Sequence, residues 1–262
     1  MAQFARPRDV VLHHDHAAGA DGVRPIVFAN SLGSDLRIWD DVRRRLDPAI
    51  PTLAMDKRGH GLSEIGPVDI ATLAADMADL MDGLGLTAAL VCGVSVGGMI
   101  AQALAAARPD LVAGLVLCNT GTKIAAVDTW DPRIAAVRSS GIASISEAVL
   151  ARWFAPSWAA AHPVERTGWR QMLERTSDEG YARTCEAIRD ADLTEATSGL
   201  PQPALCIAGS RDQSTPPATV EALARMIDGA RFVCLADVGH LPCIEAPGPL
   251  ADLLAEFHGS LA

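Results

Sequence analysis

The sequence predicts an α/β protein in which helices cover both faces of a mostly parallel sheet. Short apolar runs bounded by turn residues alternate with segments of helical period, and this alternation is typical of strands joined by crossover helices. The predicted strands are residues 10–12, 25–29, 52–55, 88–92, 114–118, 204–208 and 231–235. The alternation is interrupted between about residues 122 and 196, where strand patterns vanish and helical patterns replace them.

The first predicted element is an antiparallel hairpin at one edge of the sheet. Residues 19–22, Gly-Ala-Asp-Gly, carry turn chemistry and join the first two apolar runs. Segments with a 3.6-residue period lie between the later apolar runs and after the last one, and they predict helices. These helices are residues 39–46, 71–84, 99–107, 217–227 and 249–258.

The interruption predicts a helical cap inserted into the core. Residues 142–154 and 179–191 have helical patterns, so we divide the chain into a first core part (1–121), a cap (122–195) and a second core part (196–262). Four of the five tryptophans and the one tyrosine lie in the cap. Large apolar side chains of this kind would suit a lid over a small-molecule pocket, or would join the helical layer to the core.

Composition and charge exclude several classes of partner. The 262 residues carry a net charge of −10 and no clustered basic stripe, which argues against binding to nucleic acid or to an anionic membrane. The first residues contain no apolar secretory segment, and no stretch approaches the roughly 18 apolar residues that span a bilayer. The six cysteines form no C-x-x-C pair, so we expect a reducing, cytoplasmic location.

The G-x-S-x-G motif at residues 93–97 is the most informative local pattern. It follows a predicted strand and opens a predicted helix, which is the setting of a nucleophile elbow with Ser95 as the nucleophile. Glycines are needed there because the turn is too tight for a Cβ. In isolation, the same motif would be only a run of small residues in a strand–helix loop.

A base and an orienting carboxylate for Ser95 follow two later strands. Asp212 comes after the run 204–208, and His240 lies in the loop after the run 231–235. Separately, Asp212 could be a helix N-cap and His240 a buried core histidine. Asp237 is a second candidate carboxylate, but it shares a loop with His240, so geometry favours Asp212. The order Ser, Asp, His is that of the α/β-hydrolases.

Acyl transfer also requires two backbone N–H donors for the oxyanion. Val96 follows the nucleophile directly and supplies the first candidate. Residues 30–33, Asn-Ser-Leu-Gly, follow an earlier strand and supply the second, for which Leu32 is the predicted donor.

Other motifs argue against a cofactor. Residues 56–63 resemble the D-x-R-G-x-G-x-S loop of the same superfamily, a structural turn, so His60 is not expected to be the base. His13, His14 and His16 lack partners at metal-ligand spacing. Without a G-x-G-x-x-G or G-x-x-x-x-G-K motif, the sequence predicts no nucleotide or phosphate cofactor and no metal.

The chain resembles the 3-oxoadipate enol-lactonases over nearly its whole length. Residues 30–39, residues 56–63 and the elbow carry the superfamily part of the likeness. The narrower likeness lies in and just before the cap, in the motifs N-T (119–120), W-D-P-R-I (130–134), R-W-F (152–154), E-G-Y-A (179–182) and C-E-A-I (185–188). The resemblance implies the α/β-hydrolase fold, with a mostly parallel eight-stranded sheet, flanking helices and a helical cap.

The resemblance also implies a reaction and a small anionic substrate. Members of that family hydrolyse a five-membered enol-lactone bearing a carboxylate to 3-oxoadipate, in the β-ketoadipate pathway of protocatechuate and catechol breakdown. Arg133 is the candidate for the substrate carboxylate, with Trp130 and Trp153 beside the ring, although Arg133 could be an ordinary surface arginine. The alternatives are an esterase, perhydrolase or carbon–carbon bond hydrolase on the same scaffold, and a hydrolase-fold ligand receptor. Oligomeric state is left open.

Overall fold

The computed structural model describes residues 3–124 and 127–261. The described residues form one eight-stranded sheet, as the resemblance implies. Its strands are β1 (Gln3–Ala5), β2 (Leu12–Ala17), β3 (Ile26–Ala29), β4 (Thr52–Met55), β5 (Ala89–Val94), β6 (Val112–Cys118), β7 (Ala204–Gly209) and β8 (Arg231–Leu235).

The strands lie in the order β1-β2-β4-β3-β5-β6-β7-β8. Strands β4, β3, β5, β6, β7 and β8 are parallel, whereas β2 runs antiparallel to both β1 and β4. Every residue of β3, β4, β5 and β7 is buried, which fits strands covered by helices on both faces.

The predicted hairpin between residues 10–12 and 25–29 is wrong. β2 pairs with β4, and β3 lies on the far side of β4, so the edge hairpin is β1–β2. Residues 19–22 do not form a tight turn that pairs β2 with β3. They contact the loop before β4 instead, where the N–H of Ala20 donates to the carbonyl of Ala49 at 2.8 Å. β1 was not predicted, since three residues are too few to show a period.

Helices of the core pack on the sheet, and helices of the cap fill the connection between β6 and β7. The core helices are α1 (Asp40–Arg43), α2 (Ile70–Leu84), α3 (Val96–Ala107), α10 (Pro217–Met226), α11 (Pro242–Glu245) and α12 (Pro247–Ser260), with a 3₁₀ turn at Leu36–Trp39. The cap helices are α4 (Val127–Ser140), α5 (Ser146–Trp153), α6 (Pro156–Ala161), α7 (Pro163–Glu174), α8 (Asp178–Asp190) and α9 (Thr194–Ser198), with a 3₁₀ turn at Ile142–Ser144.

The cap helices contact loops that follow the core strands. A Cβ added to Gly33, after β3, would lie 2.6 Å from Leu173, and one added to Gly59, after β4, would lie 2.5 Å from the Cα of Gly180. The predicted division at residues 121/122 and 195/196 stays a prediction, and residues 1, 2, 125, 126 and 262 within it lie outside the described residues. None of the described helices is both long enough and apolar enough to cross a membrane.

Candidate active site

Ser95 occupies a strained turn between β5 and α3. Its backbone φ is 59°, in the left-handed region, which costs a non-glycine residue about 1–3 kcal/mol. A Cβ on Gly93 would lie 2.2 Å from the carbonyl oxygen of Gly97, and a Cβ on Gly97 would lie 2.0 Å from that of Ala29. Both glycines of the motif are therefore required by close backbone packing around the serine.

The turn is fixed by hydrogen bonds from the end of the neighbouring strand. The Ser95 N–H donates to the carbonyl of Cys118 at 3.0 Å, and the Thr120 hydroxyl donates to the carbonyl of Ser95 at 2.7 Å. The serine side chain itself makes no hydrogen bond within the described chain, and it faces a cavity that is also lined by His240.

His240 and Asp212 form a buried carboxylate–imidazole pair. Nδ1 of His240 lies 2.8 Å from Oδ2 of Asp212, and both residues are less than 5% exposed. The Thr215 hydroxyl donates to the same carboxylate oxygen at 2.7 Å, and the Ser214 N–H donates to Oδ1 at 2.7 Å. This arrangement directs Nδ1–H toward the acid and leaves Nε2 able to accept a proton from a neighbouring hydroxyl.

The Asp212 carboxyl is ionised despite its burial. Desolvation opposes the charged form, but attraction to His240 and the hydrogen bonds from His240, Thr215 and Ser214 outweigh it, so the pKa of Asp212 lies below its ordinary value. The rival carboxylate, Asp237, points elsewhere and pairs with Arg211 on the exposed surface at 2.9 Å. Of the two predicted acids, only Asp212 contacts the histidine.

Asn119, at the end of β6, ties the acid strand to the histidine loop. Its side-chain amide donates to the carbonyls of Gly239 and His240, both at 2.9 Å, and its oxygen accepts the N–H of Gly209 at 2.8 Å. The residue is fully buried, with a positive φ of 44°. One amide thus links the end of β7, which precedes Asp212, to the backbone of His240.

The histidine loop is also bonded to the cap. The N–H of His240 donates to the carbonyl of Trp153 at 2.8 Å. Glu245 of α11 bridges the same two segments, because its carboxylate accepts the N–H of Gly239 at 3.0 Å and the N–H of Ala155 at 2.9 Å. The position of His240 therefore depends on contacts with the cap as well as with the core.

The two predicted oxyanion donors, Leu32 and Val96, have N–H groups without a partner in the described chain. Leu32 is 6% exposed and lines the cavity, and Val96 is fully buried at the first position of α3, where a helix leaves its N–H groups free. Buried N–H groups are usually paired, so two unpaired ones beside Ser95 are available to a ligand oxygen.

His60 is buried and contacts the loop of residues 30–33, which bears Leu32. Its Nε2 accepts the N–H of Gly33 at 3.0 Å, and its Nδ1 contacts the carbonyl of Arg58 at 3.2 Å. Burial lowers the pKa of His60 well below its ordinary value, with the Lys57 ammonium adding to the effect. The ring is therefore neutral, and its partners are backbone groups of the loop.

The cavity lies between the core loops and the cap. It is narrow, with a cavity volume of about 50 Å³. It is lined by Ser31, Leu32, Ser95, Ile124, Thr129, Trp130, Arg133, Val149, Arg152, Trp153, Tyr181, Ile188, Ser214 and His240. The structure thus brings the three predicted cap residues, Arg133, Trp130 and Trp153, to the same cavity as Ser95.

Arg133 and Arg152 give this cavity a positive wall. The Arg133 guanidinium lies 5.0 Å from the centre of the Trp130 ring and beside the Tyr181 hydroxyl. Most arginines of the described chain pair with a carboxylate within 4.0 Å, but neither Arg133 nor Arg152 pairs with a described one.

Sequence patterns alone miss several residues of the site. They identify Arg152 only as part of a family motif, although its neighbour Trp153 is a predicted site residue. Ser214, two residues after Asp212, has the spacing of an Asx turn, and this pattern could have identified both Ser214 and the adjacent Thr215. Among the described residues, no cluster of His, Cys, Asp and Glu side chains is arranged to hold a metal ion.

The fold and site define the class of protein. The chain belongs to the alpha/beta hydrolase family, whose model matches residues 26–253, and it is a hydrolase. The 3-oxoadipate enol-lactonase 2 of Acinetobacter baylyi is 32% identical over 243 residues, which cover 92% of this chain and 90% of that protein.

Two solved structures extend the comparison. The enol-lactonase of Burkholderia xenovorans LB400 is 37% identical, with a TM-score of 0.94 over 98% of this chain and 100% of that chain. A thermophilic esterase of Thermogutta terrifontis with malate bound is 27% identical, with a TM-score of 0.91 over 100% of this chain and 99% of that one. The chain is thus similar both to enol-lactonases and to an esterase.

Proposed function

We propose that this hydrolase is a 3-oxoadipate enol-lactonase of the β-ketoadipate pathway, with Ser95, His240 and Asp212 as its catalytic triad. The observation that carries the proposal is the pair Arg133 and Arg152, which lack an acidic partner among the described residues and line the cavity of Ser95. In a chain of net charge −10, two such cations favour an anionic substrate at this site. The narrow cavity favours a compact ring over a long acyl chain.

The chemistry begins with attack of the Ser95 hydroxyl oxygen on the lactone carbonyl. Nε2 of His240 takes the serine proton, while Asp212 holds Nδ1–H and stabilises the imidazolium. The N–H groups of Leu32 and Val96 receive the negative oxygen of the tetrahedral intermediate. Collapse of the intermediate breaks the ring C–O bond and releases an enol oxygen, which takes the proton from His240.

Water then completes the hydrolysis. His240 removes a proton from water as it attacks the acyl-enzyme carbonyl, and Ser95 leaves with that proton. The released enol becomes a ketone, which removes the nucleophile that could close the ring again. An alternative route, in which His240 activates water directly without an acyl-enzyme, differs in its kinetics on p-nitrophenyl acetate, because only the acyl-enzyme route gives a burst of p-nitrophenol when deacylation is the slower step.

A carboxylesterase is the second candidate. It is favoured by the similarity to the T. terrifontis esterase, whose structure contains malate, a small carboxylate-bearing molecule. Both candidates use the same serine and the same cationic wall, but they differ in whether a cyclic enol ester or an open-chain ester is the better substrate.

Direct assay separates the two candidates. Purified protein is expected to remove the ultraviolet absorbance of the enol-lactone with a kcat/KM at least 100 times that for p-nitrophenyl acetate, in the range of ordinary enzymes, about 10⁴ M⁻¹s⁻¹ or more. Ser95→Ala should abolish both activities. Efficient turnover of the ester with none of the lactone would refute the enol-lactonase proposal and leave the esterase.

The cationic wall gives a second test. Arg133→Ala and Arg152→Ala are each expected to raise KM for the anionic lactone about 10- to 100-fold, the effect of losing a hydrogen bond to a charged group. KM for the neutral ester should change less than about 3-fold, since no carboxylate is bound. Arg175→Ala, an exposed cap arginine outside this cavity, is the control. Equal increases in KM for the lactone and for the ester would show that the two arginines do not bind the substrate carboxylate.

A further inference from the structure

Lys57 is a buried cation that the proposed chemistry does not use. The chain has only two lysines, and this one is 2% exposed and forms no ion pair with a described carboxylate. Its Nζ donates instead to two backbone carbonyls, those of Ser31 at 2.5 Å and Ser34 at 3.2 Å. Burying an ammonium is unfavourable, and an apolar side chain of the same length would fill the space at less cost.

The two carbonyls flank Leu32, the residue with the unpaired N–H. Two further polar groups of this short loop also have buried partners. The Gly33 N–H donates to His60 at 3.0 Å, and the Asn30 amide donates to the Ser34 carbonyl at 2.7 Å. With the neighbouring groups held in this way, the loop cannot rotate its peptide planes without breaking buried hydrogen bonds.

We propose that Lys57 is a positioning residue that holds the loop so that the Leu32 N–H stays directed at the oxyanion. The inference rests on the proposed role of Leu32, and it applies to any ester that Ser95 attacks. Lys57 touches neither substrate nor reacting atoms, so it acts through the loop and through its charge.

The charged groups around Lys57 bear on this role. Burial opposes the ammonium more than Asp56 and Asp35 favour it, so the pKa of Lys57 is lowered to about 7. Both carboxylates have other partners, since Asp56 accepts the Leu36 N–H at 2.8 Å and Asp35 binds Arg37. The remaining facing group, His60, is neutral. In its protonated form, Lys57 would therefore offer a negative oxygen nearby a cation that has no paired counter-ion, in a medium of low dielectric constant.

The test compares Lys57→Met with Lys123→Met, a substitution of the exposed lysine of the cap. For Lys57→Met, kcat on p-nitrophenyl acetate is expected to fall about 10- to 100-fold, less than the loss of a whole oxyanion donor, with KM within about 2-fold of the wild type. Affinity for phenylboronic acid, which forms a tetrahedral adduct with serine, should fall by the same factor. Inhibition by phenol, a neutral ring that has no acyl oxygen, should not change. Lys123→Met should match the wild type throughout.

Other outcomes would overturn the inference. An unchanged kcat would show that the loop needs no ammonium, and a parallel loss of phenol affinity would show that Lys57 only maintains the shape of the cavity. The ester and the boronate also keep this test separate from the substrate proposal. If the lactone is not turned over but the ester is, the enol-lactonase proposal fails while the comparison of lysine variants still stands.

A measurement on the wild-type protein covers the case in which Lys57→Met does not fold. Protein labelled with ¹³C at lysine Cε gives two signals, and Lys123→Met assigns them. Binding of phenylboronic acid as its anionic adduct is expected to move the titration of Lys57 to higher pH and to leave that of Lys123 unchanged. A Lys57 titration that does not respond to the boronate would refute the proposed coupling.

Discussion

Replacing Asn119 tests whether the acid strand and the histidine loop are held together by one side chain. In Asn119→Ala, the Gly209 N–H loses its acceptor and the carbonyls of Gly239 and His240 lose their donor. Asp212 follows Gly209 by three residues, so both members of the carboxylate–imidazole pair lose a backbone restraint.

The size of the effect follows from these contacts. A buried N–H without a partner costs about 1–3 kcal/mol, and each ordinary hydrogen bond contributes about 1 kcal/mol. Alanine at a φ of 44° adds about 1 kcal/mol of strain relative to asparagine. The three lost hydrogen bonds and the strain sum to about 4–6 kcal/mol, and at about 2–4 °C per kcal/mol the melting temperature should fall by roughly 8–24 °C. A displacement of His240 near 1 Å would lower kcat by up to about 100-fold.

The assay measures Tm by calorimetry and kcat and KM on p-nitrophenyl acetate. Asn119→Asp is the informative companion, because it keeps the acceptor for Gly209 but turns an oxygen toward two carbonyls, so it should lose kcat as well. Gln202→Ala, a buried amide elsewhere in the core with a single long hydrogen bond of 3.4 Å, is the control and should lower Tm without lowering kcat. If Asn119→Asp kept the wild-type kcat and Tm, the hydrogen bonds of Asn119 would not be needed to hold Asp212 and His240 in place.

Two further predictions concern Glu245 and Gly97. Burial raises the pKa of Glu245 from 4.5 to about 7, although backbone N–H groups oppose this, so the native state holds the proton more tightly than the unfolded chain. The free energy of unfolding should therefore decrease by up to about 3 kcal/mol as pH rises from 4.5 to 7, and urea unfolding of Glu245→Gln should lack this contribution. If the free energy of unfolding had the same pH dependence in the wild type and in Glu245→Gln, the raised pKa of Glu245 would be refuted. Gly97→Ala places a Cβ 2.0 Å from the carbonyl oxygen of Ala29, so we expect loss of soluble, active protein, and normal activity at normal yield would show that the elbow can relax.

The central strands were predictable because they are buried on both faces. Residues 25–29, 52–55 and 204–208 were predicted from uninterrupted apolar runs, and β3, β4 and β7 begin and end within a residue of them. The antiparallel edge was not predictable in the same way. Strand β1 has only three residues, and the periodicity of β2 does not encode whether its partner is β3 or β4.

The site was predictable where a local pattern dictates the chemistry. Ser95 is identified by glycines that its own turn requires, and Asp212 and His240 by their places after strands. The contacts of Asn119 and Glu245 join segments about 90 to 120 residues apart, so no local pattern announces them. Lys57 lies inside a recognisable motif, but its proposed role depends on its contacts with the loop that bears Leu32, which only the fold reveals.

The position of the cap in the chain has a consequence for synthesis on the ribosome. Strand β6 must wait for its partner β7 while the 85 residues between them emerge, about 4–17 s at ordinary elongation rates. During this interval one edge of a nascent apolar sheet is open to pairing with another chain. The described part of the intervening segment contains helices and no strand, so no strand of its native structure can pair with β6 in place of β7. The cap thereby keeps the vacant position in the sheet available for the strand that brings Asp212.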